Sequence, residues 1–72
     1  MIVVWDESAL ESWRRLSLSD ARAVAEAVER WAQTGQGLVV AVDGEFQLFV
    51  GQHVVVMLVA RDTLYIDRVR RA

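Results

Sequence analysis

The first half of the chain has the pattern of a short apolar strand followed by two helices. Met1–Trp5 is apolar at every position, as a strand buried on both faces would be. Ser8 and Glu11 have the Ser-x-x-Glu form of a capping box, in which the serine hydroxyl accepts from the backbone N–H three residues later. A first helix is therefore predicted to begin at Ser8. Its apolar residues share one side: Ala9, Leu10, Trp13 and Leu16.

The second helix has the clearest pattern in the sequence. Its apolar residues recur at intervals of three and four positions and form one stripe: Ala21, Val24, Ala25, Val28, Trp31 and Ala32. Ser17 and Ser19 can cap the start of this helix, and Asp20 places a negative charge in its first turn, where the helix dipole favours it. Gly35 can adopt the left-handed conformation that commonly ends a helix. The helix is therefore predicted to stop within residues 34–37.

Beyond the second helix the apolar period changes to two, which is typical of strands. Asp43-Gly44 favours a type I′ hairpin turn, Gly51-Gln52 suits a type II′ turn, and residues 61–63 reverse the chain a third time. Three successive turns imply an antiparallel meander. Its four predicted strands are Leu38–Val42, Glu45–Val50, His53–Ala60 and Leu64–Val69.

The predicted fold is α+β, in the order β-α-α-β-β-β-β, with an antiparallel sheet packed on a helical hairpin. The chain has 72 residues, which allow a single domain over 1–72, because domains of roughly 60 residues already bury only about 60% of their unfolded surface. The strand His53–Ala60 is apolar on both faces and is predicted to be central. Two helices can cover only one face of the sheet. A partner is therefore expected on the other face, at Phe49, Val54, Val56 and Leu58.

Composition and charge narrow the classes of function. Hydrophobic residues make up 54% of the chain, more than so small an interior can hide, which favours a partner chain or a self-interface. The formal net charge of −2 argues against a nonspecific nucleic-acid binder, although arginines near the C-terminus leave a local basic patch. The N-terminus lacks the basic region of a signal peptide, and the longest apolar run, Val54–Ala60, is far shorter than the roughly 18 residues of a membrane-spanning helix. We therefore expect no membrane partner and a cytoplasmic location.

Few residues have a pattern that indicates catalysis or metal binding. His53 is the only histidine, and it has either an ordinary place at a strand end or the role of a general base; no serine or acid partner is placed by spacing. Asp43 and Glu45 flank a turn and are expected to be solvated rather than to act as an acid/base pair. The chain contains no cysteine and has no spacing of metal ligands. No metal and no cofactor are therefore expected.

Aromatic and basic residues are the remaining candidates. The three tryptophans lie on predicted apolar faces, which favours core packing over base stacking. Tyr65 lies in the last strand near the arginines, where its hydroxyl either lines a polar groove or has only a structural role. Arg68, Arg70 and Arg71 are the candidates for phosphate contact, since guanidinium groups match phosphate oxygens and alternate residues of a strand project the same way. The alternative is that they form an ordinary solvated chain end.

Three segments, in this order, resemble the RelE/ParE toxin superfamily of toxin–antitoxin systems, and the resemblance spans nearly the whole chain. Residues 4–10, Val-Trp-Asp-Glu-Ser-Ala-Leu, are similar to the family's opening strand and helix start. Residues 46–56, Phe-Gln-Leu-Phe-Val-Gly-Gln-His-Val-Val-Val, are similar to its central hairpin, with Gly51 at the family's glycine. Residues 62–69, Asp-Thr-Leu-Tyr-Ile-Asp-Arg-Val, are similar to its last strand.

The resemblance implies a toxin that pairs with a small antitoxin and acts on ribosome-bound mRNA or on DNA gyrase. His53 replaces the family's tyrosine, Val54 its following arginine, and Phe49 stands near another frequent arginine. Most positions for RelE-type catalysis are therefore missing, and the remaining candidates are Arg61, Tyr65 and Arg71. The resemblance thus favours a toxin that acts by binding its target. The alternatives are a noncatalytic homodimeric interaction module and a ribosome-dependent mRNA endoribonuclease.

Overall fold

The computed structural model describes all residues, 1–72, as two helices against one five-stranded sheet. In chain order the elements are β1 Ile2–Trp5, α1 Glu7–Arg14, α2 Leu18–Thr34, β2 Val39–Val42, β3 Glu45–Val50, β4 His53–Ala60 and β5 Thr63–Arg71. The predicted order β-α-α-β-β-β-β is confirmed. β5 extends two residues beyond its predicted end, so Arg70 and Arg71 belong to a strand.

The strands lie side by side in the order β1-β5-β4-β3-β2. The meander β2–β5 is antiparallel, as predicted, and β4 is the central strand. β1 adds to the outer side of β5 in parallel orientation, so the complete sheet is mixed. β1 and β2 lie at opposite edges of the sheet, and the two helices form the long connection between them.

The hairpin turns follow the predicted turn chemistry. Asp43 and Gly44 have φ of 48° and 80°, as a type I′ turn requires. Gly51 has φ of 58°, whereas φ of Gln52 is not positive, which agrees with a type II′ turn. Arg61 also has a positive φ, 58°, although it carries a Cβ, and it turns the chain between β4 and β5.

The start of the first helix differs from the prediction. Asp6, not Ser8, is the N-cap of α1, and its carboxylate accepts from the Ser8 backbone N–H. The Ser8–Glu11 capping box is therefore wrong, because Ser8 already lies inside the helix. The second helix agrees with the sequence: the Ser17 hydroxyl accepts from the Asp20 N–H at 3.2 Å, and Gly35 ends the helix in the left-handed conformation.

The hydrophobic core lies between the helices and one face of the sheet, which we call the covered face. Val24 and Val28 of α2 and Ala9 of α1 pack there against fully buried strand residues: Leu48, Val55, Met57, Leu64 and Ile66. The three tryptophans pack around this core, as predicted, and the Trp13 indole donates to the Ala21 carbonyl at 2.8 Å. Neither helix has the length and apolar character that a membrane-spanning helix needs.

A β-bulge interrupts the alternation of β5. Ile66 pairs with Met57 and Arg68 pairs with Val56, so Asp67 has no partner across the strands. Because of this extra residue, both Ile66 and Val69 point to the covered face, where they belong to the core. Arg68 and Arg70 consequently point to the opposite face, which we call the open face.

Candidate functional site

The open face carries side chains from all five strands and no helix packs on it. Residues directly opposite each other on paired strands project to the same side, so the register identifies its rows. One row runs Val4–Tyr65–Leu58, and Glu45 and Val42 pair with each other on β3 and β2. A second row runs Arg68–Val56–Gln47–Val40, and a third contains Arg70, Val54 and Phe49.

Two arginines make one end of the open face basic. Arg68 and Arg70 stand two residues apart on β5, both exposed. Arg68 Nη1 donates to Asp67 Oδ2 at 2.7 Å, and Arg70 Nη1 donates to the Arg71 carbonyl at 3.2 Å. Each guanidinium group has five N–H donors in total. Those not used in these two contacts can bind an anionic partner.

The other end of the open face is apolar. Val4, Leu58, Tyr65 and Val42 each keep about two fifths of their surface exposed, at 41%, 39%, 43% and 39%. Ile2, at the outer edge, is 61% exposed. Tyr65, whose role the sequence left open, thus lies among apolar neighbours rather than in a polar groove. Exposed apolar side chains grouped in this way make this end of the open face the candidate for an interaction surface.

The four residues predicted to contact a partner differ in their exposure to solvent. Leu58 is exposed and Phe49 is half-buried, but Val54 and Val56 keep only 1% and 0% of their surface. The register places Phe49 and Arg70 on either side of Val54, and Gln47 and Arg68 on either side of Val56. We infer that these four long side chains cover the two valines. A partner would therefore contact the covering side chains and not the valines.

The candidate catalytic residues are not brought together. Arg61 lies in the turn before β5 and Arg71 at the end of that strand, whose eight residue steps alone span roughly 26 Å at about 3.3 Å per residue. Tyr65 points to the open face, whereas Arg71 pairs with His53 on the covered side. Arg71 is also separated from Arg68 and Arg70 in this way, so the phosphate-contact candidates divide into a pair on one face and a single residue on the other.

A second polar cluster lies at the end of the sheet where α2 begins. His53 Nε2 is 3.1 Å from Asp20 Oδ2, and the histidine side chain is only 13% exposed. Beside it, Arg71 Nη2 donates to Gln52 Oε1 at 2.8 Å. A groove of about 390 Å³ opens here, lined by Asp20, Ala23, Val50, Gly51, Gln52 and His53. The two residues of the His–Asp pair are 33 positions apart, so no local spacing indicated it.

The Asp6 carboxylate, at the start of α1, is held by two hydrogen bonds from Ser8. The Ser8 hydroxyl donates to Asp6 Oδ2 at 2.6 Å and the Ser8 backbone N–H at 3.3 Å. These two hydrogen bonds favour the ionised carboxylate and hold the pKa of Asp6 below its ordinary value of 3.8. No group of three or more His, Asp or Glu side chains lies close enough to hold a metal ion.

Comparison with known proteins identifies the fold. No protein-family model matches the sequence, and a search of curated proteins gave no significant match. Among solved structures, the chromosomal ParDE toxin–antitoxin system of P. aeruginosa is similar, with a TM-score of 0.80 and 18% identity over 100% of this chain and 96% of that chain. The intact E. coli RelBE toxin–antitoxin complex is similar with a TM-score of 0.79 and 14% identity over 99% of this chain and 95% of that one.

The similarity extends to a third toxin–antitoxin complex. The RelB–RelE antitoxin–toxin complex from Methanococcus jannaschii has a TM-score of 0.77 and 12% identity, over 94% of this chain and 88% of that one. At such low identity the likeness concerns the path of the backbone, and in each case it spans almost all of both chains. The chain therefore has the fold of the RelE and ParE toxins, as the order of its sequence motifs implied.

Proposed function

We propose that this chain is the toxin component of a toxin–antitoxin pair, which acts by binding its target and is neutralised by an antitoxin. The observation that carries the proposal is the fold, shared over nearly the whole chain with RelE and ParE structures that come from toxin–antitoxin systems. The open face adds independent support, because it combines exposed arginines with an exposed apolar area.

Arg68 and Arg70 are proposed to contact an anionic target. They are the two arginines on the open face, and their guanidinium groups can form paired hydrogen bonds to phosphate or carboxylate oxygens. Arg71 is left out of this role because it lies on the covered side, where it binds Gln52. The two proposed targets are the ribosome and DNA gyrase.

The antitoxin is proposed to bind the apolar end of the same face. Leu58, Tyr65 and Val4 form a continuous row there, and a partner that covers them would remove apolar surface from water at roughly 25 cal/mol per Å². A bound antitoxin of this kind would also hinder access to the neighbouring arginines. Neutralisation then requires no change in the toxin's own conformation.

Binding is favoured over cleavage on the geometry of the polar residues. An endoribonuclease needs an acid, a base and cations around a single phosphorus, within hydrogen-bond reach of the reacting atoms. Arg61 lies in the turn before β5, and Tyr65 and Arg71 point to opposite faces of that strand. The noncatalytic homodimer is the second candidate, favoured by the exposed apolar strand residues.

Growth of a bacterium after induction of the isolated gene tests the proposal. We expect arrest with the natural sequence and at least tenfold more surviving colonies with Arg68→Gln/Arg70→Gln. Glutamine keeps part of the aliphatic stem over the valines beneath while it removes the charge. Co-expression of a short reading frame encoded beside the gene should restore growth.

The matched control is Arg22→Gln/Arg30→Gln, which removes the same charge from the exposed side of α2. It should arrest growth as fully as the natural sequence. Normal growth in the presence of abundant soluble natural protein would count against a toxin, and equal relief by both double variants would count against the role of Arg68 and Arg70.

A further inference from the structure

β2 forms a free edge of the sheet, since it pairs only with β3. The Phe49 N–H donates to the Leu38 carbonyl at 2.9 Å, and in an antiparallel ladder every second residue bonds to the neighbouring strand. Leu38, Val40 and Val42 therefore direct their backbone groups toward β3. Val39 and Ala41 direct theirs outward, where no strand meets them.

The side chains along this edge are apolar and unusually exposed. Leu38, Val40 and Val42 are 68%, 44% and 39% exposed, and all three project to the open face. No charged residue lies within Leu38–Val42. Natural proteins usually protect a free edge with lysine, proline or a bulge, and this edge has none of them.

We propose that a second copy of this chain occupies the edge by antiparallel pairing of β2 with β2 around a two-fold axis at Val40. In that register Val39 pairs with the partner copy's residue 41 and Ala41 with its residue 39. The outward N–H and C=O groups of Val39 and Ala41 in the two copies then form four backbone hydrogen bonds. The result is a continuous ten-stranded sheet whose open faces lie on the same side.

The side chains favour this register over the registers shifted by two residues. Leu38 meets residue 42 of the other copy, Val40 meets residue 40, and Val42 meets residue 38, so all three exposed apolar residues gain apolar partners. A shift by two residues in either direction leaves one of them without such a partner. The flanking Asp43 lies opposite residue 37, a glycine, so no like charges meet.

The other free edge, β1, is less suited to self-pairing. The Ile2 N–H donates to the Asp62 carbonyl just before β5 and the Asp6 N–H to the Ile66 carbonyl of β5, so Val3 and Trp5 carry the outward groups there. A two-fold pairing through those groups, centred on Val4, would place charged Asp6 opposite apolar Ile2 of the other copy. Trp5 is moreover already engaged with Trp13, at a ring-centroid distance of 6.0 Å.

The interface is short, so the dimer is expected to be weak. Pairing of a single strand of this length falls below the roughly 1,200 Å² of a stable interface, which places the dissociation constant in the micromolar range or above. The inference does not depend on toxin activity. The oligomeric state can confirm or overturn it whatever the growth assay gives.

Disulfide trapping tests the register directly, because the chain contains no cysteine. In the proposed dimer the two Val40 Cα atoms face each other at about 4.5 Å, within the 4.4–6.8 Å of a disulfide. Mild oxidation of Val40→Cys at about 100 μM should therefore give a covalent dimer in most of the protein. Val42→Cys is the matched control, because Val42 is similarly exposed on the same face. In the proposed dimer the two residues at position 42 lie roughly 13 Å apart along the strand direction, too far for a disulfide.

We expect Val40→Cys to cross-link at least tenfold faster than Val42→Cys, with circular dichroism showing that both variants are folded. Equal rates would overturn the proposal, and so would absence of a Val40→Cys dimer. A mixture of Val40→Lys and Val40→Glu provides a gain-of-function check. Each variant alone should be monomeric in light scattering, because like charges meet at the axis, and the mixture should form a heterodimer.

Discussion

Ser8 shows how a single side chain connects distant parts of this chain. Its hydroxyl oxygen lies 2.6 Å from Asp6 Oδ2 and 3.1 Å from the Asp67 carbonyl, so it joins the start of α1 to the bulge in β5. Serine has one hydroxyl proton, so the Asp6 carboxylate and the Asp67 carbonyl share the same donor, and the contact to Asp6 is the shorter one. The residue that resembles a helix cap in the sequence thus connects the start of a helix to a strand irregularity.

The Asp6 carboxylate should make stability depend on pH at acidic values. Its pKa is below 3.8 in the folded chain, so the ionised form binds Ser8 better than the protonated form. The resulting stabilisation is present above the unfolded pKa and is lost as the pH falls through the folded pKa. Asp6→Asn keeps a capping oxygen without the titration.

Thermal unfolding of both proteins across a pH series checks this expectation. The natural chain should be the more stable near neutral pH, and the difference in melting temperature should shrink as the pH falls below 3.8. A difference that stays constant down to strongly acidic pH would show that the carboxylate charge plays no part. Asp43→Asn, at an exposed turn, provides the control for a general effect of charge.

At the scale of the secondary-structure elements, the bulge at Asp67 determines which side chains of β5 point to each face of the sheet. With strict alternation from Leu64, the residues at 68 and 70 would point to the covered face and Val69 to solvent. The extra residue reverses this arrangement. Val69 enters the core, and the two arginines reach the open face.

Deletion of Asp67 should leave the fold intact, since Leu64, Ile66 and Val69 then alternate regularly with Tyr65, Arg68 and Arg70, and both arginines stay on the open face. Deletion of Tyr65 is the matched control, because it shortens β5 by the same one residue but turns Ile66 out of the core and Asp67 toward it. Burial of unpaired charge is among the few changes that cost more than about 4 kcal/mol, so this second variant should not fold. Circular dichroism on heating distinguishes the two, and equal stability of the two deletion variants would contradict the role of the bulge.

For the molecule as a whole, the two faces of the sheet are covered by different means. The helices bury Val55 and Met57 on one side. On the other side Val54 and Val56 are equally buried although no helix is present, and their neighbours across the strands include Arg70 and Arg68. The charged residues of the proposed target site are thus also part of the packing.

Shortening of Arg68 should therefore destabilise the fold through lost packing. We expect Arg68→Ala to lower the free energy of unfolding by about 1–2 kcal/mol, at roughly 0.8 kcal/mol per buried methylene. Arg68→Met keeps an unbranched stem and should retain most of the stability. Urea titration of the two variants decides between packing and charge, since equal losses would indicate that only the charge matters.

The sequence by itself determined the elements and their order. Helical spacing in α2, the Ser17 cap and the two hairpin turns are local properties, and each was placed correctly because neighbouring residues decide them. Central placement of β4 was also correct, but uniform apolarity does not decide it alone, because the edge strands β1 and β2 are equally apolar and stay exposed at Ile2 and Val40. The resemblance to RelE and ParE toxins rested on these same local segments.

Only the tertiary structure decided which residues meet. The parallel addition of β1, the Asp20–His53 pair and the separation of Arg71 from Arg68 and Arg70 depend on contacts between distant segments. A one-residue bulge reverses the faces of a strand without changing its apolar content, so no periodicity shows it. The physical reason is that local spacing governs backbone conformation, whereas the orientation of a side chain in a sheet depends on its register with another strand.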